Sequence, residues 1–204
     1  MFRDRHDAGR HLAEELRDYS GHDDAIVLGL PRGGVIVAQE VAASLGLSLD
    51  VFVVRKLGVP SQPELAFGAI ASGGVRVLTS SVVAHAALTE EQIERVVARE
   101  EEELARREAA YGAGGQVASV ALLVDDGVAT GATMYAAAVA ARQAGATQVV
   151  CAAPVASGLA VARLQAVADE VRVLQAPDHF GAVANFYADF DEIDDDEVRA
   201  ALGR

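Results

Sequence analysis

The sequence predicts an α/β fold, with a central, mostly parallel sheet flanked by helices. Short apolar runs at residues 25–28, 49–54, 117–124, 148–155 and 170–174 read as buried strands, and helix-period segments separate them. Glycines punctuate the pattern, with Gly46 and Gly145 placed where helices stop. A length of 204 residues suits one domain with a substantial core.

Taken in order, residues 7–19 form an amphipathic helix with Leu12, Leu16 and Tyr19 at helical spacing. The strand at 25–28 leads into Gly29-Leu-Pro-Arg-Gly-Gly34 and a helix over 35–45. The strand at 49–54 ends in Arg55-Lys56, and residues 57–64, with Pro60 and Pro63, read as a loop. Residues 66–71 and 75–78 suit a hairpin turned at Ser72-Gly73-Gly74. A long charged helix spans 89–111, opened by the capping-box pair Thr89 and Gln92. Its glutamates form a solvated face over a thin apolar stripe. A helix starting near Gly131 follows the strand at 117–124, and Ser157 caps another over 158–167. The acid run from Asp191 to Glu197 leads into a short final helix.

Composition narrows the function. The formal net charge of −13 argues against nucleic acid as a partner. The apolar runs are too short to span a membrane. The charged start, Met-Phe-Arg-Asp-Arg-His-Asp, is not a signal peptide, so a cytoplasmic protein is expected. The single cysteine, Cys151, lies in a strand pattern and reads as a small buried hydrophobe. The five histidines show no metal-ligand spacing.

The chemistry centres on residues 120–133, Val-Ala-Leu-Leu-Val-Asp-Asp-Gly-Val-Ala-Thr-Gly-Ala-Thr. A strand ends in the carboxylates Asp125 and Asp126, a small-residue loop follows, and a helix begins. Amides at a helix N-terminus hold phosphate, Gly127 and Gly131 allow close approach, and Thr130 and Thr133 add hydroxyls. Two carboxylates repel a second phosphate but suit a neutral diol or a metal ion. A sugar diol beside a phosphate fits both halves. The loop lacks the lysine of a P-loop and the spacing of a dinucleotide fingerprint. Asp125, Gly29 and Arg55 each fall at a strand's carboxyl end, the rim where such sheets bind ligands.

This stretch resembles the 5-phosphoribosyl-1-pyrophosphate (PRPP) motif of type I phosphoribosyltransferases, and the resemblance extends in order along most of the chain. It implies that Asp125 and Asp126 hold the ribose hydroxyls and that Gly127, Val128, Ala129, Thr130, Gly131, Ala132 and Thr133 cradle the 5′-phosphate. It implies a pyrophosphate site at Arg32, Gly33, Gly34, Arg55 and Lys56, with a cis peptide at Pro31–Arg32 and a lid over residues 57–64. Residues from about 175 to 204, with an N-terminal contribution, resemble the family's nucleobase-binding hood on a core of about 20–175. There Phe180, Phe186 and Tyr187 would face a base, and Asp189, with Asp125 and Asp126, would lie near Mg²⁺. The implied reaction transfers phosphoribosyl from PRPP to a nitrogen acceptor, releases pyrophosphate, needs Mg²⁺ and takes place in a homodimer. Ala129 departs from purine-type members, where an Asp acts on the base nitrogen. Glu64 or a hood carboxylate would have to substitute. The alternative is a catalytically silent PRPP-binding regulator.

Overall fold

The computed structural model describes residues 1–204 apart from the side chain of Glu64. The elements run α1 (Arg5–Glu15), β1 (Ala25–Gly29), α2 (Gly33–Leu45), β2 (Ser48–Val51), β3 (Val54–Val59), β4 (Gln62–Ala71), β5 (Val75–Leu78), α3 (Ser80–His85) and α4 (Glu90–Tyr111). Then come β6 (Val120–Val124), α5 (Ala132–Gln143), β7 (Gln148–Val155), α6 (Gly158–Leu164), β8 (Glu170–Gln175) and α7 (Asp195–Ala201). Five strands in the order β2-β1-β6-β7-β8 form the parallel sheet, and β3-β4-β5 form a separate antiparallel one.

The central strands β1 and β6 are buried along their whole length, which their unbroken Val, Leu, Ile and Ala runs allow. One face packs on α1 and α2 through Leu12, Leu16, Val37 and Val41. The other packs on the alanine-rich side of α5 and on α6. Cys151 is fully buried there, and desolvation pushes its thiol up to about 12. Gly46 sits in the left-handed region at φ 68°, closing α2, and the capping box at Thr89 opens α4, both as the sequence predicts.

Two predicted elements are corrected. The apolar run at 49–54 is not one strand: β2 stops at Val51, the chain turns through buried Phe52 and Val53, and Val54 begins the second sheet. Phe52 still donates to Gly29 O at 3.0 Å, whereas Val53 bonds to Ser72 beside β4, so the turn hands the chain from one sheet to the other. Burial on both sides of the turn hides it from hydropathy. Residues 57–64 are also not an open loop but belong largely to the hairpin β3–β4. Pro63 lies in an irregular stretch of the β3–β4 register, beyond the segment that pairs with β5, where no ladder bond needs its missing N–H. Helix α3 has no counterpart in the sequence reading. No helix among the described residues is long and apolar enough to cross a membrane.

The N-terminus is stitched to the C-terminal segment. Phe2 N donates to Phe186 O, and Ala188 N to Phe2 O, each at 2.8 Å. Phe2, Ala8 and Tyr187 form a small satellite core there, joined by Phe186 and Phe190.

Candidate active site

Strands β1 and β6 end side by side, with Gly29 in register with Val124, so the turn after β1 and the carboxylates after β6 meet on one rim. Leu30 N donates to Val124 O at 2.8 Å, and the bond Pro31–Arg32 is cis. Gly33 and Gly34 then start α2 directly against the acid pair. A Cβ on Gly33 would collide with Asp126 Oδ2, and one on Gly34 would lie 2.8 Å from Asp125 Cα. This close approach, not a special dihedral, is what requires glycine at both positions.

The two carboxylates differ in setting. Asp126 Oδ2 accepts from Arg5 Nε at 2.7 Å, and both side chains are largely buried. Arg5 is itself held by Asp191 O at 2.8 Å and lies 3.8 Å from the Phe190 ring centroid, a cation–π contact. Asp125 lies in no ion pair among the described residues, and Arg5 offsets its burial only weakly. Its Oδ1 accepts from the Asp126 amide at 2.9 Å, but desolvation, followed by the neighbouring Asp126 charge, pushes its carboxyl well above the usual range. The corner therefore holds one carboxyl anchored by an arginine and one that burial inclines to hold a proton, available to a hydroxyl.

The loop beyond is oriented by its carbonyls. Ser157 Oγ donates to Ala129 O at 2.6 Å, Arg163 Nη1 to Thr130 O at 2.8 Å, and Tyr135 N to Gly131 O at 2.8 Å. In a trans peptide the following N–H points the opposite way. The amides of Thr130, Gly131 and Ala132 are thus turned away from α6 and the helix body, toward the open side at the start of α5. Gly131 takes φ 73° to make that turn. Ala132 N has only a 3.3 Å contact with Thr130 Oγ1. This is a row of donors at a helix N-terminus, suited to a phosphate.

The other predicted site residues divide. Arg32 stands at the rim, and its Nη2 donates to Glu192 Oε1 at 2.8 Å, so the acid run also restrains this arginine. Arg55 and Lys56 are not at the end of a parallel strand but inside β3, where they line a cavity shared with Pro31 and Thr133. Arg55 directs Nε and Nη2 to Glu100 of α4 at 2.9 and 2.6 Å. Phe180 and Phe186 pair at 5.4 Å between centroids, with part of each ring exposed. Tyr187, expected to face a base, is buried between Phe2 and Phe190. Its hydroxyl donates to Asp126 O at 2.5 Å, and burial pushes its phenol up. It supports the corner from behind. Asp189 is exposed in the hood, its Oδ1 accepting from Asp191 N at 3.4 Å. The side chain of Glu64, suggested as a substitute for the missing Asp at Ala129, lies outside the described residues.

No cluster of three metal-ligating side chains occurs among the described residues. A magnesium ion fits this site only as a companion of oxygen-rich substrate groups, with one or two carboxylates added by the protein. The sequence reading misses Arg5 and the supporting role of Tyr187. Both lie in segments distant in sequence from the motif they support, and no local pattern links them to it.

The family model for the phosphoribosyl transferase domain matches residues 3–191. The chain belongs to this family. Two Mycobacterium tuberculosis proteins named provisionally as phosphoribosyl transferases are 50% identical over 208 residues, covering all of this chain and 47% of their own length. The chain thus spans about half the length of the curated relatives it matches. The crystal structure of TT1426 from Thermus thermophilus is 45% identical, with a TM-score of 0.90 over 99% of this chain and 97% of that one. The fold is that of the type I phosphoribosyltransferases, as the sequence predicts.

Proposed function

We propose that residues 1–204 form one phosphoribosyltransferase domain that moves the 5-phosphoribosyl group of PRPP to a nitrogen acceptor. The observation that carries this reading is the corner itself: outward amides at residues 130–132 beside the Asp125–Asp126 pair. The amides bind the 5′-phosphate. Asp126, fixed by Arg5, accepts from one ribose hydroxyl, and Asp125 completes the diol contact. Arg32, Lys56 and the amides of Gly33 and Gly34 face the pyrophosphate. Bound Mg²⁺ would neutralise part of the leaving group's charge.

In the transfer step the acceptor nitrogen forms a bond to the anomeric carbon as the bond from that carbon to pyrophosphate oxygen breaks. Pyrophosphate leaves with the electron pair, and the nitrogen's proton passes to solvent or a base. The transition state is oxocarbenium-like, so anchoring both ends of the sugar lowers the barrier by positioning and by charge. A dimer in the cytoplasm is the setting this reading expects from its family.

Asp126→Asn is expected to weaken PRPP binding at least tenfold, measured by isothermal titration, with the circular dichroism spectrum unchanged. Equal affinity in both proteins would remove the assignment. Ala129, which carries no carboxylate for an acceptor base, favours the second reading, a PRPP-binding regulator without turnover. Pyrophosphate release measured against a panel of amines and bases separates the two.

A further inference from the structure

The loop between β6 and α5 is gripped by its carbonyls. Asp126 O accepts from the Tyr187 hydroxyl, Val128 O from Ser157 N at 2.9 Å, Ala129 O from Ser157 Oγ at 2.6 Å, and Thr130 O from Arg163 Nη1 at 2.8 Å. The amides of Ala129, Thr130 and Gly131 donate to no protein group among the described residues. The acceptors of this loop are used internally, and its donors are left for a ligand.

The grip comes largely from α6 and its cap, which lie outside the acid-pair motif. The hydroxyl of Ser157 has two tasks. As the N-cap of α6 it accepts from Ala160 N at 3.0 Å, which uses a lone pair. Its proton remains, and it goes to Ala129 O. A cap needs only the acceptor: aspartate serves as well, and glycine nearly as well. Capping alone therefore does not account for the bond to the loop. Arg163, in the last turn of α6, is exposed, yet its guanidinium reaches Thr130 O across 33 residues of sequence. A charged donor on that oxygen polarises the Thr130–Gly131 peptide and makes the Gly131 N–H a stronger donor. Gly131 also lies against α6, since a Cβ there would stand 3.2 Å from Ala160 Cα.

We propose that Ser157 and Arg163 are positioning residues: they fix the planes of two successive peptides and so set the affinity of the loop for a phosphate monoester. Without the Ser157 proton, the Ala129–Thr130 peptide loses the bond that keeps its amide aligned with its neighbours. Without Arg163, the next peptide loses both a restraint and its polarisation. The inference rests on the proposed function in one respect, that a sugar phosphate occupies the loop.

The test titrates ribose 5-phosphate calorimetrically into the full chain and four variants. Ser157→Gly keeps most of the cap but has no proton to give, and it is expected to weaken binding by about fivefold or more. Ser157→Thr keeps both functions and is expected to stay within about twofold of wild type. Arg163→Met is expected to lose about threefold or more, and Arg163→Lys, whose ammonium still donates, to lose less. Melting temperatures check that each variant folds. At saturation the Gly131 amide proton resonance is expected to move downfield in wild type and by less in Arg163→Met, a change that a merely structural role for Arg163 would not produce. Wild-type affinity in both Ser157→Gly and Arg163→Met, or Ser157→Thr as weak as Ser157→Gly, would overturn this inference and leave the proposed function standing. Absence of ribose 5-phosphate binding by the wild type would overturn both.

Discussion

The corner after β6 and the cavity beside α4 both concentrate polar chemistry, but they are built differently. At the corner, backbone supplies most of the groups that a ligand would meet: three amides turned by their own peptide planes, and two glycines that let α2 touch the acid pair. In the cavity, side chains from a helix and a hairpin converge, and one buried glutamate sets their positions. A backbone site is specified by a few consecutive residues. A side-chain site is specified by how separate elements pack.

The two regions also differ in how charge is balanced, and variants can sharpen that contrast. The largest effect is expected from Arg5→Ala. It leaves Asp126 largely buried without its partner, a change that costs about 3–5 kcal/mol when such a pair is broken. Urea unfolding measures it, and a loss below about 1 kcal/mol would mean that Asp126 is solvated in the corner. On the proposed reading Arg5 positions Asp126, so the same variant is also expected to raise the KM for PRPP more than it lowers kcat.

A smaller loss, about 1–3 kcal/mol, is expected from Glu100→Gln, which weakens charged hydrogen bonds to two arginines that remain partly solvated. Burial alone would raise the Glu100 carboxyl, but Arg55 and then Arg99 outweigh it and hold it below its ordinary value. Its contribution is therefore present above the unfolded value of about 4.3 and is lost as pH falls through the lowered folded value. Melting temperatures of wild type and Glu100→Gln should converge on acidification in that window. Parallel curves would show that the carboxylate does not anchor these arginines.

The smallest shift, and of opposite sign, is expected from Asp125→Asn in the protein without donor. The raised folded value means that ionising Asp125 opposes folding as pH climbs from about 3.9 toward that value. Removing the charge should raise the melting temperature at neutral pH, by roughly 2–4 °C for each kcal/mol relieved. A fall in melting temperature would place Asp125 as a stabilised anion and remove the proton it is proposed to share.

The sheet and the corner are legible in the sequence because their signals are local. The strand at 148–155 and the cap at Ser157 appear where hydropathy and capping chemistry put them. The acid pair and its loop lie within nine consecutive residues. The turn at Phe52–Val53 is not legible, because a chain that passes from one buried sheet to another stays apolar throughout. The expected place of Arg55 on the rim fails for that reason. Helix α4 reads as a solvated face, and much of it is, but the same arginines that pair along the helix also look into the cavity. The ring of Tyr187 alone suggests a ligand, whereas packing against Phe2 decides its place.

The bonds of Arg5 to Asp126 and to Asp191 span 121 and 186 residues of sequence. During synthesis, α1 is made before the strands, and its arginine has no destination until the chain has been made beyond residue 191. The sheet can assemble earlier from strands close in sequence, while closing so large a ring of polypeptide carries an entropic cost that is met only once residue 191 is made. A nascent chain that already holds its hydrophobic layers would still lack the contact that anchors Asp126, so the candidate site is completed after the sheet that carries it.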